Sequence, residues 1–350
     1  MSENQPKSPK SLMERFTKEN ILKFVVDNAI FFILLALLAV IIAMEPRFVS
    51  LKNLTNILTQ SSTRVIFALG VGTIIVTKGT DLSLGRQVGL SAVISASLLQ
   101  SAEYAYRMYP DLPALPIILP IVLVMLITGF VSLLNGVVVA KFKVDPFIAT
   151  LGMMIIIYGI TSIYFDRPPY GAQPIGGLDA RFTKFAQGAI EIGVFRLPYL
   201  VIYAAIATAI MWVLWNKTKY GKNIFAVGGN REAAVVSGVN VTMVLLMTYT
   251  LAGLLYGLGG ALEAARIGSA TNNTGNMYEL DAIAACIVGG LSFSGGIGTI
   301  SGIVAGVLIF QVIAYGLSFI GINPYIQFII KGLIIITAVA IDNRKNIKKK

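Results

Sequence analysis

The chain has 350 residues, 56% of them hydrophobic and only 13% charged, with a mean hydropathy of +0.77; soluble proteins carry roughly 25% charged residues, so most of this chain belongs in lipid. Histidine is absent and Cys286 is the single cysteine. That excludes His-based acid–base catalysis, Ser-His-Asp and Cys-His nucleophile systems, His or Cys metal sites and intrachain disulfides.

Residues 1–24 are polar and basic and read as a cytoplasmic tail, because further apolar segments follow where a cleaved leader would release a soluble chain. A spanning helix needs about 20 mostly apolar residues. Ten segments are candidates: 25–44, 55–77, 81–100, 115–140, 145–165, 197–215, 241–262, 280–294, 298–320 and 323–341. The segments 81–100 and 280–294 are the two that read as broken or re-entrant. Near the start of the second segment Asn53, Asn56, Gln60 and Thr63 share one helical face. Neutral donors and acceptors of this kind suit the hydroxyls of an uncharged polyol, and equally a helix with its polar side in the headgroups.

Between the second and third segments lies TKGTDLSLGRQVG (Thr77–Gly89), where Asp81, Ser83 and Arg86 stand between apolar runs. Ionised groups at membrane depth pair, face water or mark a pathway, whereas at the interface both charges would simply be solvated. Residues 166–196, which include RPPYGAQPIGG, form the longest outer stretch. The longest inner stretch, 216–240, opens basic, passes Gly228-Gly229 and then reads as a short helix outside the membrane. Asn230 is its N-cap, Glu232 lies in its first turn and Gly238 stops it. Its small residues Ala233, Ala234, Ser237 and Gly238 would admit a partner surface; an ordinary interfacial helix is the alternative.

From Ala282 to Ile330 there is no charged residue. One helix of that length would be about twice as long as the bilayer core is thick, so the chain must turn, and SFSGGIG (Ser292–Gly298) is where it can. Its LSFSG faintly echoes DLSLG at Asp81–Gly85, as internal duplication in a transporter would. Lys331 sits within the last segment, either snorkelling to an interface or pairing with a carboxylate such as Asp81 or Asp281. Residues 342–350 form a basic tail. With the N-terminus placed inside, the inner segments hold 17 of the 28 basic residues and the outer ones 8. This asymmetry puts both termini in the cytoplasm and makes the +11 charge a topology signal, not a nucleic-acid patch. The fold expected is one all-α polytopic membrane domain over 1–350. No GxxxxGK[ST] motif occurs, so ATP drive would need another chain. An ion-coupled carrier is the main rival to an ATP-driven one, and a membrane-embedded enzyme lacks the paired catalytic groups it would need.

Four segments carry a resemblance: TKGTDLSLG (Thr77–Gly85), FKVDPFIATLG (Phe142–Gly152), YGKNIFAVGGNREAAVVSGVNV (Tyr220–Val241) and YELDAIAACIVGGLSFSGGIGT (Tyr278–Thr299). Over nearly its whole length the chain resembles the membrane subunits of bacterial ABC sugar importers of the ribose/galactose type. Within that family WNKTKYGKN (Trp215–Asn223) and LEAARIGSATNNTGNMYELDAIAAC (Leu262–Cys286) look most like the galactose/methyl-galactoside permeases, with ribose and other monosaccharides as alternatives. The resemblance implies a type II-like importer fold and a homodimer in the inner membrane. It also implies a cytoplasmic ATP-binding subunit, which carries the ATP and Mg, and an extracytoplasmic sugar-binding protein. No cofactor or metal is expected on this chain. On this view Asn230, Arg231, Glu232, Ala233, Ala234, Val235, Ser237 and Gly238 form the coupling helix. Asn56, Gln60, Asp81, Ser83, Arg86 and Lys331 are candidates for the pathway or its gate.

Overall fold

A computed structural model describes residues 29–167, 171, 173–193 and 195–347. The N-terminal tail 1–24 lies outside the described residues, as do 348–350 of the basic tail. All ten apolar segments form helices. In chain order they are α1 (Ala29–Met44), α2 (Leu51–Val76), α3 (Leu84–Leu98), α4 (Ile118–Ala140) and α5 (Pro146–Phe165). After α6 (Ala180–Gln187) and the strands β1 (Ala189–Ile192) and β2 (Phe195–Pro198) comes α7 (Tyr199–Lys217). The inner stretch forms α8 (Lys219–Gly229) and α9 (Arg231–Val236), and α10 (Val241–Ile267), α11 (Tyr278–Val288), α12 (Ile300–Phe319) and α13 (Pro324–Ile347) complete the chain.

Among the described residues six helices are long and apolar enough to cross a membrane: α2, α4, α5, α7, α10 and α12. α3 has 15 residues and α11 has 11, about 22 and 16 Å at 1.5 Å per residue. Neither reaches across a core of about 30 Å, so the segments 81–100 and 280–294 are short helices ending in turns inside the fold. The stretch 166–196 holds regular structure: β1 and β2 pair antiparallel with Ile190 opposite Leu197, and α6 is capped by Asp179, which accepts from the Arg181 amide at 2.8 Å. The Arg181 side chain also donates to Asp179 and holds its carboxyl below the ordinary range. The inner stretch is helical from Lys219 onward. The Thr218 hydroxyl accepts from the Gly221 amide at 3.2 Å, and Gly221, Ile224 and Val227 are buried on one face.

Helix α10 is the central post, packed along α2, α3 and α4. Glycines permit that approach: a β-carbon at Gly260 would stand 2.5 Å from the Val88 carbonyl oxygen, and one at Gly253 would collide with that of Thr128. The outer helices present apolar surface outward. On α5, Ile148, Ile155, Ile156, Ile160 and Ile163 are all exposed, as a lipid-facing side requires.

Candidate functional site

The polar stripe on α2 faces α12, not open space. The Tyr315 hydroxyl donates to Asn53 Oδ1 at 2.9 Å and accepts from Asn56 Nδ2 at 3.0 Å. One turn earlier on α12, Gln311 Nε2 donates to Gln60 Oε1 at 2.9 Å. Thr63 turns toward α10 and donates to Glu263 Oε2 at 2.8 Å.

Beside this ladder lies a cluster of charges. Lys331 Nζ meets Asp281 Oδ2 at 2.9 Å, and Arg64 Nη1 stands 3.9 Å from the same oxygen. The alternatives for Lys331 are thereby resolved: Asp281, not Asp81, is its partner, and it does not snorkel. The Arg64 guanidinium lies over the Tyr278 ring at 3.3 Å, a cation–π contact. The Tyr278 hydroxyl donates to Glu263, which also accepts from Arg266 at 3.0 and 2.9 Å. Glu263 is fully enclosed, whereas the Arg64, Asp281 and Lys331 side chains are about one-fifth exposed. Arg64 and Asp281 line a crevice with Phe310 and Gln311 whose cavity of about 10 Å³ is room for one water. The set carries two cations against one carboxylate on α2, α11 and α13, and Arg64 Nη1 has no hydrogen-bond acceptor among the described residues.

Arg64, Glu263, Gln311 and Tyr315 are not among the residues that the sequence singled out. The signal for Arg64 was present: a basic residue fourteenth in a 26-residue helix is an intramembrane charge in the sense that marks function.

Asp81 occupies a separate place. It is wholly buried in the turn between α2 and α3, so the solvated-loop alternative does not hold for it. Its Oδ1 accepts from the Ser83 amide at 2.9 Å and the Ser83 hydroxyl at 2.5 Å. Ser83 Oγ accepts in turn from Gln87 and Asn135, both at 3.0 Å. Arg86 does not pair with Asp81. It donates to Asn276 Oδ1 at 2.8 Å and stacks on Tyr158 at 4.2 Å. Asp81 precedes the first turn of α3 while Arg86 lies within the helix, so the two side chains leave in different directions.

On the inner stretch, Asn230 caps α9 by accepting from the Ala233 amide at 2.9 Å, and Gly238 leaves it with φ of +81°. Arg231, Glu232, Ala233, Val235, Ser237 and Gly238 are exposed, while Ala234 is turned inward. Val236 is 89% exposed and Val235 57%. The helix therefore offers an apolar tip flanked by one basic and one acidic side chain. Among the described residues no cluster of acidic or sulfur ligands is arranged to hold a metal ion.

Residues 53–339 match the family model described as branched-chain amino acid transport system / permease component. The chain is 58% identical over 338 residues to the galactose/methyl galactoside import permease protein MglC of Escherichia coli, covering 97% of this chain and 100% of that one. It is 56% identical to the protein of the same name from Haemophilus influenzae, again over 97% and 100%. The ribose import permease protein RbsC of Bacillus subtilis is 36% identical, covering 89% of this chain and 91% of that one. No solved structure matches the chain.

Proposed function

The chain belongs to the family of branched-chain amino acid transport system / permease components, and from that premise we propose that it is the membrane subunit of an ATP-driven importer that carries galactose and methyl galactosides across the cytoplasmic membrane by alternating access. The observation that carries the sugar assignment is the end-to-end identity of 58% to a galactose permease against 36% to a ribose permease.

The chain is a permease and not an enzyme. ATP and Mg belong to a cytoplasmic ATP-binding subunit, and affinity for the sugar belongs to an extracytoplasmic binding protein. Two copies of the chain form one pathway, with both termini in the cytoplasm. Helix α9 is the coupling helix, and its exposed Val235–Val236 tip seats in the ATPase while Ala234 anchors it to the permease. Asn56, Gln60 and Lys331, joined by Arg64 and Asp281, line the path for a neutral polyol. Asp81 and Ser83 fix the inner turn beside it, and Arg86 ties that turn to the 272–276 loop.

The test is reconstitution of the permease with its ATPase and sugar-binding protein in liposomes. Galactose uptake should persist with a protonophore, stop when hydrolysis is blocked, and exceed ribose uptake at least tenfold. Uptake that survives blocked hydrolysis refutes the ATP-driven reading; preference for ribose refutes the sugar. Val236→Glu should insert normally yet lose the copurifying ATPase, and full copurification would refute the docking assignment.

A further inference from the structure

Three stretches far apart in the chain meet backbone to backbone at the inner end of the fold. Helix α2 ends at Val76, and the carbonyl oxygen of Val76 accepts a hydrogen bond from the Gly296 amide at 2.8 Å. Gly228, in the last turn of α8, lies against both: a β-carbon there would collide with the Val76 oxygen and stand 2.6 Å from the Gly296 nitrogen. One at Gly296 would lie 3.3 Å from the Gly228 carbonyl carbon, and one at Gly295 would lie 2.7 Å from the Gly228 oxygen. Gly295 and Gly296 have φ of +76° and +69°, a left-handed turn that glycine adopts without strain. Between Val76, Gly228 and Gly296 the contact is backbone on backbone, with the Lys78 side chain packed beside Gly295.

Its position gives it a use. α8 ends at Gly229 and Asn230 caps α9 directly, so no flexible linker separates the clasp from the docking helix. On the other side the clasp holds both walls of the polar crevice. α2 carries Asn56, Gln60 and Arg64, and the 292–298 turn joins α11, which carries Asp281, to α12, which carries Gln311 and Tyr315.

We infer that the clasp of Val76, Gly228 and Gly296 is a rigid joint through which movement of the docked α9 is delivered to both walls of the crevice at once, with Gly228 and Gly296 as positioning residues of the transport cycle. Close-packed backbone transmits displacement because it has no slack to take up. The inference rests on the docking reading of α9. A failure of that reading registers separately, as an ATPase that does not copurify with the wild-type permease or is retained in full by Val236→Glu.

Two adjacent glycines of α8 supply the contrast. A β-carbon at Gly229 meets nothing within 4 Å, so Gly229→Ala should transport like wild type. Gly228→Ala should still copurify with the ATPase and hydrolyse ATP, while transport falls at least tenfold and stimulation of hydrolysis by sugar-loaded binding protein is lost. A merely structural glycine would instead lower copurification, hydrolysis and transport together. Wild-type transport by Gly228→Ala, or equal losses in both variants, overturns the inference. If Gly228→Ala does not assemble, hydrogen exchange on the wild-type complex decides. Peptides covering 74–79 and 292–298 should keep equal protection in the nucleotide-free and vanadate-trapped states. Loss of protection in either state means that the joint opens and refutes rigid transmission.

Discussion

Replacing Asp281 with Asn removes the carboxylate that Lys331 and Arg64 share, and the structure sets the size of the effect. Exposed ion pairs contribute about 0.2–1 kcal/mol, while breaking a buried pair from one side costs about 3–5 kcal/mol. The side chains here are 21–22% exposed and the short contact is 2.9 Å, which places Asp281→Asn between those limits, at about 2–3 kcal/mol. Lys331→Met should cost less, about 1 kcal/mol, because the carboxylate it leaves behind keeps Arg64 as a partner. The double variant should fall close to Asp281→Asn alone and about 1 kcal/mol short of the sum, since the Lys331–Asp281 interaction is counted in both single changes.

The assay is thermal unfolding of the permease in lipid nanodiscs at one fixed scan rate, because membrane proteins unfold irreversibly and the midpoint depends on rate. At about 2–4 °C per kcal/mol, Asp281→Asn should lower the midpoint by about 4–12 °C and Lys331→Met by about 2–4 °C. Equal shifts from the two single variants, or a double variant that is strictly additive, would refute the shared counter-ion.

Three further outcomes follow from local geometry. Asp81→Asn keeps an oxygen for both Ser83 bonds and should preserve folded yield on size exclusion, whereas Asp81→Leu strands the buried Ser83 amide at about 1–3 kcal/mol; equal loss in both would mean that the charge itself matters. Gly259→Ala drives a β-carbon into the Phe67 ring and should cost about 1–3 kcal/mol by overpacking. Gly159→Ala on α5 enters open space and should leave the midpoint unchanged or raise it, so matched losses would refute the packing assigned to α10 and α2. Asn230→Ala removes the N-cap of α9, worth about 1 kcal/mol, and should reduce the copurifying ATPase severalfold while insertion stays normal.

The spans were legible because a run of about 20 apolar residues has one use in such a chain. The outcome at 81–100 and 280–294 was legible too, through the glycines that bound them. Helix α8 was not read, although Tyr220, Ile224 and Val227 already stand at helical spacing; its lysines and glycines gave it the composition of a loop. Arg64 disappeared for the opposite reason. Its neighbours Val65 to Leu69 are apolar enough that the segment average hides one charge. Asp281 was one of two carboxylates the sequence offered Lys331, but the choice between it and Asp81 was not legible, since Asp281 lies 50 residues away and sequence gives no distances. For Asp81 and Arg86 the sequence left pairing, solvation and a pathway open, and the start of α3 between them sends each to a different neighbour.

The polar groups of the fold divide by exposure, and the division says which side of the molecule meets water. Asp81 and Glu263 are wholly enclosed and act as internal fastenings. Arg64, Asp281 and Lys331 keep about one-fifth of their surface, and a charge presented to lipid at this depth costs about 2.5–3.5 kcal/mol or more. Helix α13 shows that they are not so presented. Its Ile329, Leu333 and Ile336 are 63%, 60% and 68% exposed, and at about 100° per residue each points about 140–160° away from Lys331. One side of α13 is therefore built for acyl chains and the opposite side holds the ion pair. A lysine on the lipid side would face the same direction as those three residues. Set opposite them, Lys331 turns toward Asp281 on α11 and the Phe310 ring on α12, so its charge is met by protein and not by acyl chains.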